Sequence, residues 1–282
     1  MVKAPFNERF LAPHDLAALP STLASLKDAK YLEYNHLKLI ELILEDSLVF
    51  SEEQAINLER FTPSQHKSSL WFQHRAGRIA GTKLYAVCHT DPCDPSLTLL
   101  KSICFPTSCR FNSKATLWGY QHTKQALDAY YALQKDKHND FSIHPCGLIL
   151  SFSFYFMGTT PDSFVSCSCC GEGVEIKCPL CKAHKTIEES CDDKNFCLDS
   201  SIILKRNHPY FYQVMAHINI SGRKYCDFIV WTMKGFSVER IAMILFCGIQ
   251  FLRRQGSFFS LPLFQKCWLA FFLDVIFTIC SE

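Results

Sequence analysis

Asp162, Glu175 and Lys177 are the residues whose types and spacing carry the most chemistry in this chain of 282 residues. Asp162 closes the run GTTPD, and Glu175 and Lys177 follow thirteen and fifteen positions later in GVEIKCP. In an extended chain alternate side chains point to opposite faces. Val174 and Ile176 therefore face one way while Glu175 and Lys177 project together the other way. Taken alone, this alternation describes an amphipathic edge strand with a solvated ion pair. A hairpin returning from Asp162 to Glu175 gives a second reading, in which two carboxylates and an ammonium converge on one point. Such a set suits a hard divalent cation, because Mg²⁺ takes oxygen ligands and keeps waters for phosphate-bearing substrates. A cation held there stabilises charge developing on a phosphodiester, and Lys177 can position or polarise an attacking water.

The elements that must hold these residues can be outlined from pattern. Residues 1–60 read as helical: LKLIELILEDSLVF has apolar residues at helical spacing, and SEEQ from Ser51 to Gln54 has the form of a capping box. Thr62-Pro63-Ser64 reads as a turn, Trp71–Lys83 as a further helix, and His89–Pro95 as a loop with two Asp-Pro steps. Leu117–Leu133 predicts a long helix with Leu117, Tyr120, Leu127 and Tyr131 on its apolar stripe. Gly147–Gly158 predicts a central strand that buries Phe152, Phe154, Tyr155 and Phe156. Two strands follow, from FVSC and GVEIKC, and then a polar insertion without defined structure over Ala183–Ser200. HPYFYQVMAHINISG predicts a helix ended by Asn219–Gly222, and Tyr225–Thr232 a strongly apolar strand. This order predicts an α/β domain with a central mixed β-sheet flanked by helices.

Composition narrows the classes. A net charge of +2 is too small to argue for nucleic acid, so any DNA-binding surface must be a local cluster. Sixteen cysteines and an opening segment with no apolar leader predict an intracellular, reducing compartment, nucleus or cytoplasm, and not secretion. Cys167, Cys169, Cys170, Cys178 and Cys181 crowd the proposed hairpin. They read as buried thiols, with a structural Zn²⁺ as the alternative. The other histidines, His217 among them, show no ligand spacing and read as surface or core residues. The tail from Ile241 to Cys280 is very apolar, but Pro262, Lys266 and Asp274 interrupt it. It reads as a buried helix pair, not as a membrane span.

Four blocks in order, WFQHRAGRIAGTK, KATLWGYQHTKQALDAY, GTTPDSFVSCSCCGEGVEIKCP and HPYFYQVMAHINISGRKYCDFIVWT, resemble the YqaJ viral-recombinase family. That family is related to lambda exonuclease within the PD-(D/E)xK nuclease superfamily. The resemblance implies a restriction-endonuclease-like nuclease domain over residues 65–240, preceded by a helical extension over 1–64 and followed by a diverged apolar tail over 241–282. It implies a metal-dependent DNA nuclease, a 5′-to-3′ exonuclease that hydrolyses phosphodiester bonds. Asp162 and Glu175 would be ligands of Mg²⁺, or of Mn²⁺ in its place, and Lys177 the catalytic lysine. Gln213, in YFYQV, would support the cluster. Arg75 would grip a 5′-phosphate, Lys114 stands at a basic position ahead of the Trp118-Gly119 helix, and Thr82 and Thr160 stand where hydroxyls donate to phosphate. The implied partner is DNA, as duplex ends bearing a 5′-phosphate, with no small-molecule cofactor and with a homo-oligomer open. One departure matters most: the family helix reads W-G-x-x-x-E, and here Thr123 stands where that acid is expected. The alternative function is therefore a decayed or domesticated nuclease fold that binds DNA ends without cleavage.

Overall fold

The computed structural model describes residues 18–22, 49–91, 94–108, 113–169 and 173–244. Of the helical run expected over 37–50 only Val49 and Phe50 are described, and neither is helical; the apolar tail beyond Ile244 lies outside the described residues. In chain order the described elements are α1 (Glu52–Phe61), α2 (Ser69–Arg75), β1 (Ile79–Ala80), α3 (Leu84–Cys88), α4 (Leu97–Cys104) and α5 (Lys114–Gln134). They continue with β2 (Ser142–Pro145), β3 (Ile149–Leu150), β4 (Met157–Thr159), β5 (Ser163–Ser166) and β6 (Gly173–Lys177). The last are α6 (Ile187–Cys191), α7 (Pro209–Ser221), β7 (Tyr225–Thr232) and β8 (Gly235–Ala242). They form two compact units that do not follow chain order. One takes the described residues up to 108 together with 147–160, and the other takes 113–146 and 161–244.

In the first unit, α1 opens with the expected capping box, the Ser51 hydroxyl accepting from Gln54 N and the Gln54 side chain accepting from Ser51 N. Its end is tied to the strand region: Thr62 Oγ1 donates to Leu58 O and accepts from Leu148 N at 2.8 Å. The chain passes so close here that a Cβ on Gly147 would lie 1.9 Å from the Glu59 carbonyl oxygen. Leu58, Leu70, Trp71, Leu148 and Leu150 make the core beneath. The helix expected over Trp71–Lys83 is shorter. It stops at Arg75, because Gly77 turns the chain with φ 75° and leads it into β1. The single strand expected over Gly147–Gly158 is also corrected. Ser151 Oγ accepts from Phe154 N and bends the run into a turn, leaving β3 and β4 as two short antiparallel strands. The aromatic run is then a turn, and Phe152 is 52% exposed where a core residue was expected. β1 adds to the other edge of β4 in parallel, with Ala80 opposite Gly158.

The second unit carries a five-stranded mixed sheet in the order β2-β5-β6-β7-β8. Only the β6–β7 pair is parallel, as expected for strands joined by a long helical crossover. On one face Val174 and Ile176 pack with Ala126 and Tyr130 of α5, Phe141, Val165 and Ile229. α5 is the long helix predicted, but its stripe is different. Leu117, Tyr120 and Tyr131 are exposed, and Ala126, Tyr130 and Gln134 are buried at i, i+4 and i+8. The Tyr130 hydroxyl donates to Asp227 Oδ2 at 2.6 Å, and Arg240 grips the same buried carboxylate with two bonds, at 2.8 and 2.9 Å. The insertion expected to be undefined is ordered. Thr186 and Glu189 form a capping box on α6, and Phe196, Cys197 and Leu198 are buried. α7 ends at Gly222 as predicted. β8, which follows a tight Met233–Lys234 turn, extends the sheet along the whole of β7.

Candidate active site

β6 is an interior strand, hydrogen-bonded to β5 on one side and β7 on the other. Its polar face therefore cannot be a solvated edge, and Glu175 is only 2% exposed. α7 covers that face. Gln213 Nε2 donates to Glu175 Oε1 at 2.5 Å, and His217 Nε2 lies 2.9 Å from Glu175 Oε2. One helical turn separates Gln213 from His217, so both side chains reach the same carboxylate. Lys177 forms an ion pair with Glu175 Oε1, donates to Gln213 Oε1 at 3.2 Å, and has its Nζ 4.7 Å from the centre of the Tyr210 ring. Asp162 enters from the start of β5. Its backbone N–H donates to Val174 O, and its Oδ2 accepts from Ile176 N at 2.7 Å. The Asp162 carboxylate thus sits on the edge of β6 at Ile176, the residue between Glu175 and Lys177.

The charges respond to one another. Burial and the nearby Glu175 push Asp162 up to about 7, against the opposing pull of Lys177 and the Ile176 N–H. Burial pushes Glu175 upward as well, but Lys177 and His217 outweigh it and hold the carboxyl down at about 2. Burial alone would lower Lys177, yet Glu175 and Asp162 raise it above its ordinary value, so it is an ammonium at neutral pH. One ammonium between two carboxylates leaves repulsion unrelieved at Asp162. Hard oxygen donors with an unmet need for positive charge fit a divalent cation of the Mg²⁺ type.

Three of the other expected residues belong to the first unit and gather at one end of its sheet. Arg75 lies over the Trp71 ring with its Cζ 3.9 Å from the centroid, and the Trp71 indole N–H donates to Thr160 Oγ1 at 3.0 Å. Thr160 and Thr82 each stand two residues beyond the paired Gly158 and Ala80, and Thr82 is exposed. Lys114 is exposed at the first position of α5 in the second unit. At the departure position, Thr123 Oγ1 turns back to donate to Gly119 O at 2.8 Å. Its neighbour His122 stacks between Trp118 and Trp231 and supplies no replacement acid.

Sequence reasoning missed His217 and Tyr210 as members of the cluster. The signal for His217 was its helical spacing from Gln213. The cysteines divide. Cys178 packs against the core below β6, where burial raises its thiol to about 12, and Cys181 is exposed on a 3-10 turn. Neither joins a group of three ligating side chains among the described residues, whereas Cys167 and Cys169 do, with His138. Cys170 lies outside the described residues. Among those residues no helix is long and apolar enough to cross a membrane.

Residues 70–224 match the sequence profile of the YqaJ-like viral recombinase domain. The chain is similar to the solved structure of LHK-Exo in complex with dAMP, LHK-Exo being an alkaline exonuclease from Laribacter hongkongensis. Identity is 17%, with 76% of this chain and 97% of that chain covered and a TM-score of 0.51. It is similar also to the Shutoff and Exonuclease Protein from Kaposi's sarcoma-associated herpesvirus, at 10% identity over 86% of this chain and 76% of that one, with a TM-score of 0.52. A SOX–DNA complex matches at 11% identity with the same coverage and a TM-score of 0.50. At such identities the likeness is one of fold, and it supports the mixed α/β architecture. No curated protein matches the chain.

Proposed function

Because the chain belongs to the YqaJ-like viral recombinase domain family, we propose that it is a metal-dependent DNA nuclease that degrades duplex DNA from 5′-phosphorylated ends. The observation that carries this reading is the packing around Glu175. A carboxylate with 2% exposure is held by Lys177, Gln213 and His217, with the Asp162 carboxylate seated on the same strand edge. Asp162 and Glu175 would hold Mg²⁺, and bound there it would supply charge to the scissile phosphate and a polarised water. Gln213 and His217 orient Glu175, so that its oxygens are fixed before substrate arrives. Lys177 is held as an ammonium by its carboxylate neighbours. It acts as a donor that positions the attacking water and meets negative charge developing on the phosphate, not as the group that removes a proton. Arg75, Thr82 and Thr160 would take the terminal phosphate, the guanidinium by its planar fork and the hydroxyls as donors. Lys114 would contribute a point charge to DNA binding on its own unit. The solved DNA complex among the structurally similar proteins supports DNA as the partner class.

The test is digestion of a 5′-phosphorylated duplex with and without Mg²⁺, by the wild type and by Lys177→Ala. Mg²⁺-dependent release of nucleotides by the wild type alone is expected. Equal digestion by both proteins, or digestion unaffected by chelator, overturns the assignment of Lys177 and the metal.

A second reading rests on Thr123. A hydroxyl bonded back to its own helix supplies no carboxylate to the cluster. A fold that lost this acid can retain end binding without cleavage. Thr123→Glu separates the two readings: cleavage that arises only in that variant supports the decayed fold. Cleavage by the wild type supports the active enzyme.

A further inference from the structure

The end of the β5–β6 hairpin opposite Asp162 and Lys177 carries a second cluster. Cys169 Sγ lies 3.1 Å from His138 Nδ1, Cys167 Sγ lies 3.5 Å from the same nitrogen, and the two sulfurs are 3.1 Å apart. All three donor atoms fall within 4.8 Å of one another. A tetrahedral zinc with Zn–S of about 2.3 Å and Zn–N of about 2.0 Å keeps its donors about 3.5–3.8 Å apart, so a small expansion of this triangle seats the ion. We propose that His138, Cys167 and Cys169 form a zinc site that clamps the β5–β6 turn to the connection between α5 and β2.

Two further features bring these donors together without the ion. β2 and β5 are antiparallel with Ser142 opposite Ser166, so the segments flanking that pair, which bear His138 and Cys167, must run side by side. Ser168 then fastens them: its N–H donates to Asn139 O at 3.0 Å and its hydroxyl donates to Asp140 Oδ2 at 2.7 Å. Asp140 adopts φ 56°, which turns the chain between His138 and β2. The ligand frame is therefore largely built before the ion binds, which lowers the ordering cost of binding.

The donor chemistry selects the ion. Two thiolates and an imidazole are soft to borderline ligands, which suit Zn²⁺ and not Mg²⁺. Cys169 is exposed, and His138 and Cys167 are half-buried. An ion can therefore enter from solvent, with a solvent oxygen at its fourth position. Binding deprotonates the two thiols and releases their protons to solvent, with no redox change. The hairpin so clamped is the one that presents Asp162 and Glu175 from its other end.

The test uses the purified full chain under reducing agent, with Co²⁺ as a spectroscopic stand-in for Zn²⁺. Thiolate-to-cobalt charge-transfer absorption is expected to saturate at about one equivalent per chain and to bleach when zinc is added. The carboxylate pair cannot produce that band, so this result is independent of the nuclease reading. The band should vanish in Cys167→Ser/Cys169→Ser, and zinc should raise the melting temperature of the wild type but not of that variant. Because paired serines can unfold the hairpin, His138→Asn is read as well. It should keep its circular dichroism but shift the visible bands and weaken zinc binding by about a hundredfold or more, since even outer-shell partners are worth about 10–100-fold. No charge-transfer band in the wild type overturns the proposal. So does a band unchanged in a folded His138→Asn, or a Cys167–Cys169 disulfide that persists under the reductant with no metal bound.

Discussion

Replacing Asp162 with asparagine should make the protein more stable at pH 8 while abolishing its cleavage of DNA. The Asp162 carboxyl is displaced from 3.8 to about 7, by burial first and by the Glu175 charge second. At about 1.36 kcal/mol per pH unit, keeping it ionised in the folded state costs at most about 4 kcal/mol. The side chain is only half-buried, so solvent screens part of this. A gain of about 2 kcal/mol for Asp162→Asn is the expected magnitude. The sign follows from linkage. A carboxyl raised in the folded state favours folding below its unfolded value of about 4 and loses that advantage as pH rises through about 7. The asparagine variant should therefore match the wild type near pH 4 and exceed it by the full amount at pH 8. Its amide oxygen can still accept from Ile176 N, so the strand contact survives. Urea titrations at several pH values, with chelator present, give the difference directly. Adding Mg²⁺ should then stabilise the wild type and leave the variant unchanged. A difference that does not vary with pH, or a variant less stable at pH 8, refutes the repulsion argument.

Lys177→Ala should cost about 3 kcal/mol in chemical denaturation, because it strands the buried Glu175 charge with fewer partners. The same change should lift the Glu175 carboxyl from its depressed value, so that the stability deficit, read by urea titration, is full at neutral pH and shrinks as pH falls from about 4.5 toward 2. Tyr130→Phe removes one of three bonds to Asp227 and should cost about 2 kcal/mol in the same assay, with DNA cleavage unchanged once the protein is folded. Gly147→Ala forces a Cβ into the Glu59 carbonyl and should lower the melting temperature sharply or prevent recovery of soluble protein. Wild-type stability in that variant would mean that the α1–β3 approach is looser than it stands.

What could be read ahead of the structure follows a physical division. Local signals carried through: the Ser51–Gln54 box starts α1, Gly222 ends α7, and the alternation of GVEIK forms a strand. The place of that strand in the sheet was not legible in the alternation. Alternation looks the same on an edge or interior strand, and only the pairing with β7 and the cover of α7 make the Glu175–Lys177 pair buried. Tertiary choice likewise selected Tyr130 and Ala126 over the larger Leu117 and Tyr120 as the buried face of α5. Two misses had local signals that went unweighed: Gly77 inside the supposed Trp71–Lys83 helix, and the Thr186–Glu189 box inside the insertion read as poorly defined. Asp162, Glu175 and Lys177 were legible from strand alternation and a hairpin return, and Gln213 only through the family resemblance. His138 beside Cys167 was not, because β2–β5 register brings them together across a long sequence gap.

The central claim is that Asp162 and Glu175 share one divalent cation beside Lys177. Crystals grown with Mn²⁺, measured for anomalous scattering at a wavelength where manganese contributes strongly, test it most directly. The account predicts one anomalous peak bonded to both carboxylates in the wild type and none at that position in Asp162→Asn. A wild-type map with no peak there, or a peak held by neither Asp162 nor Glu175, contradicts it.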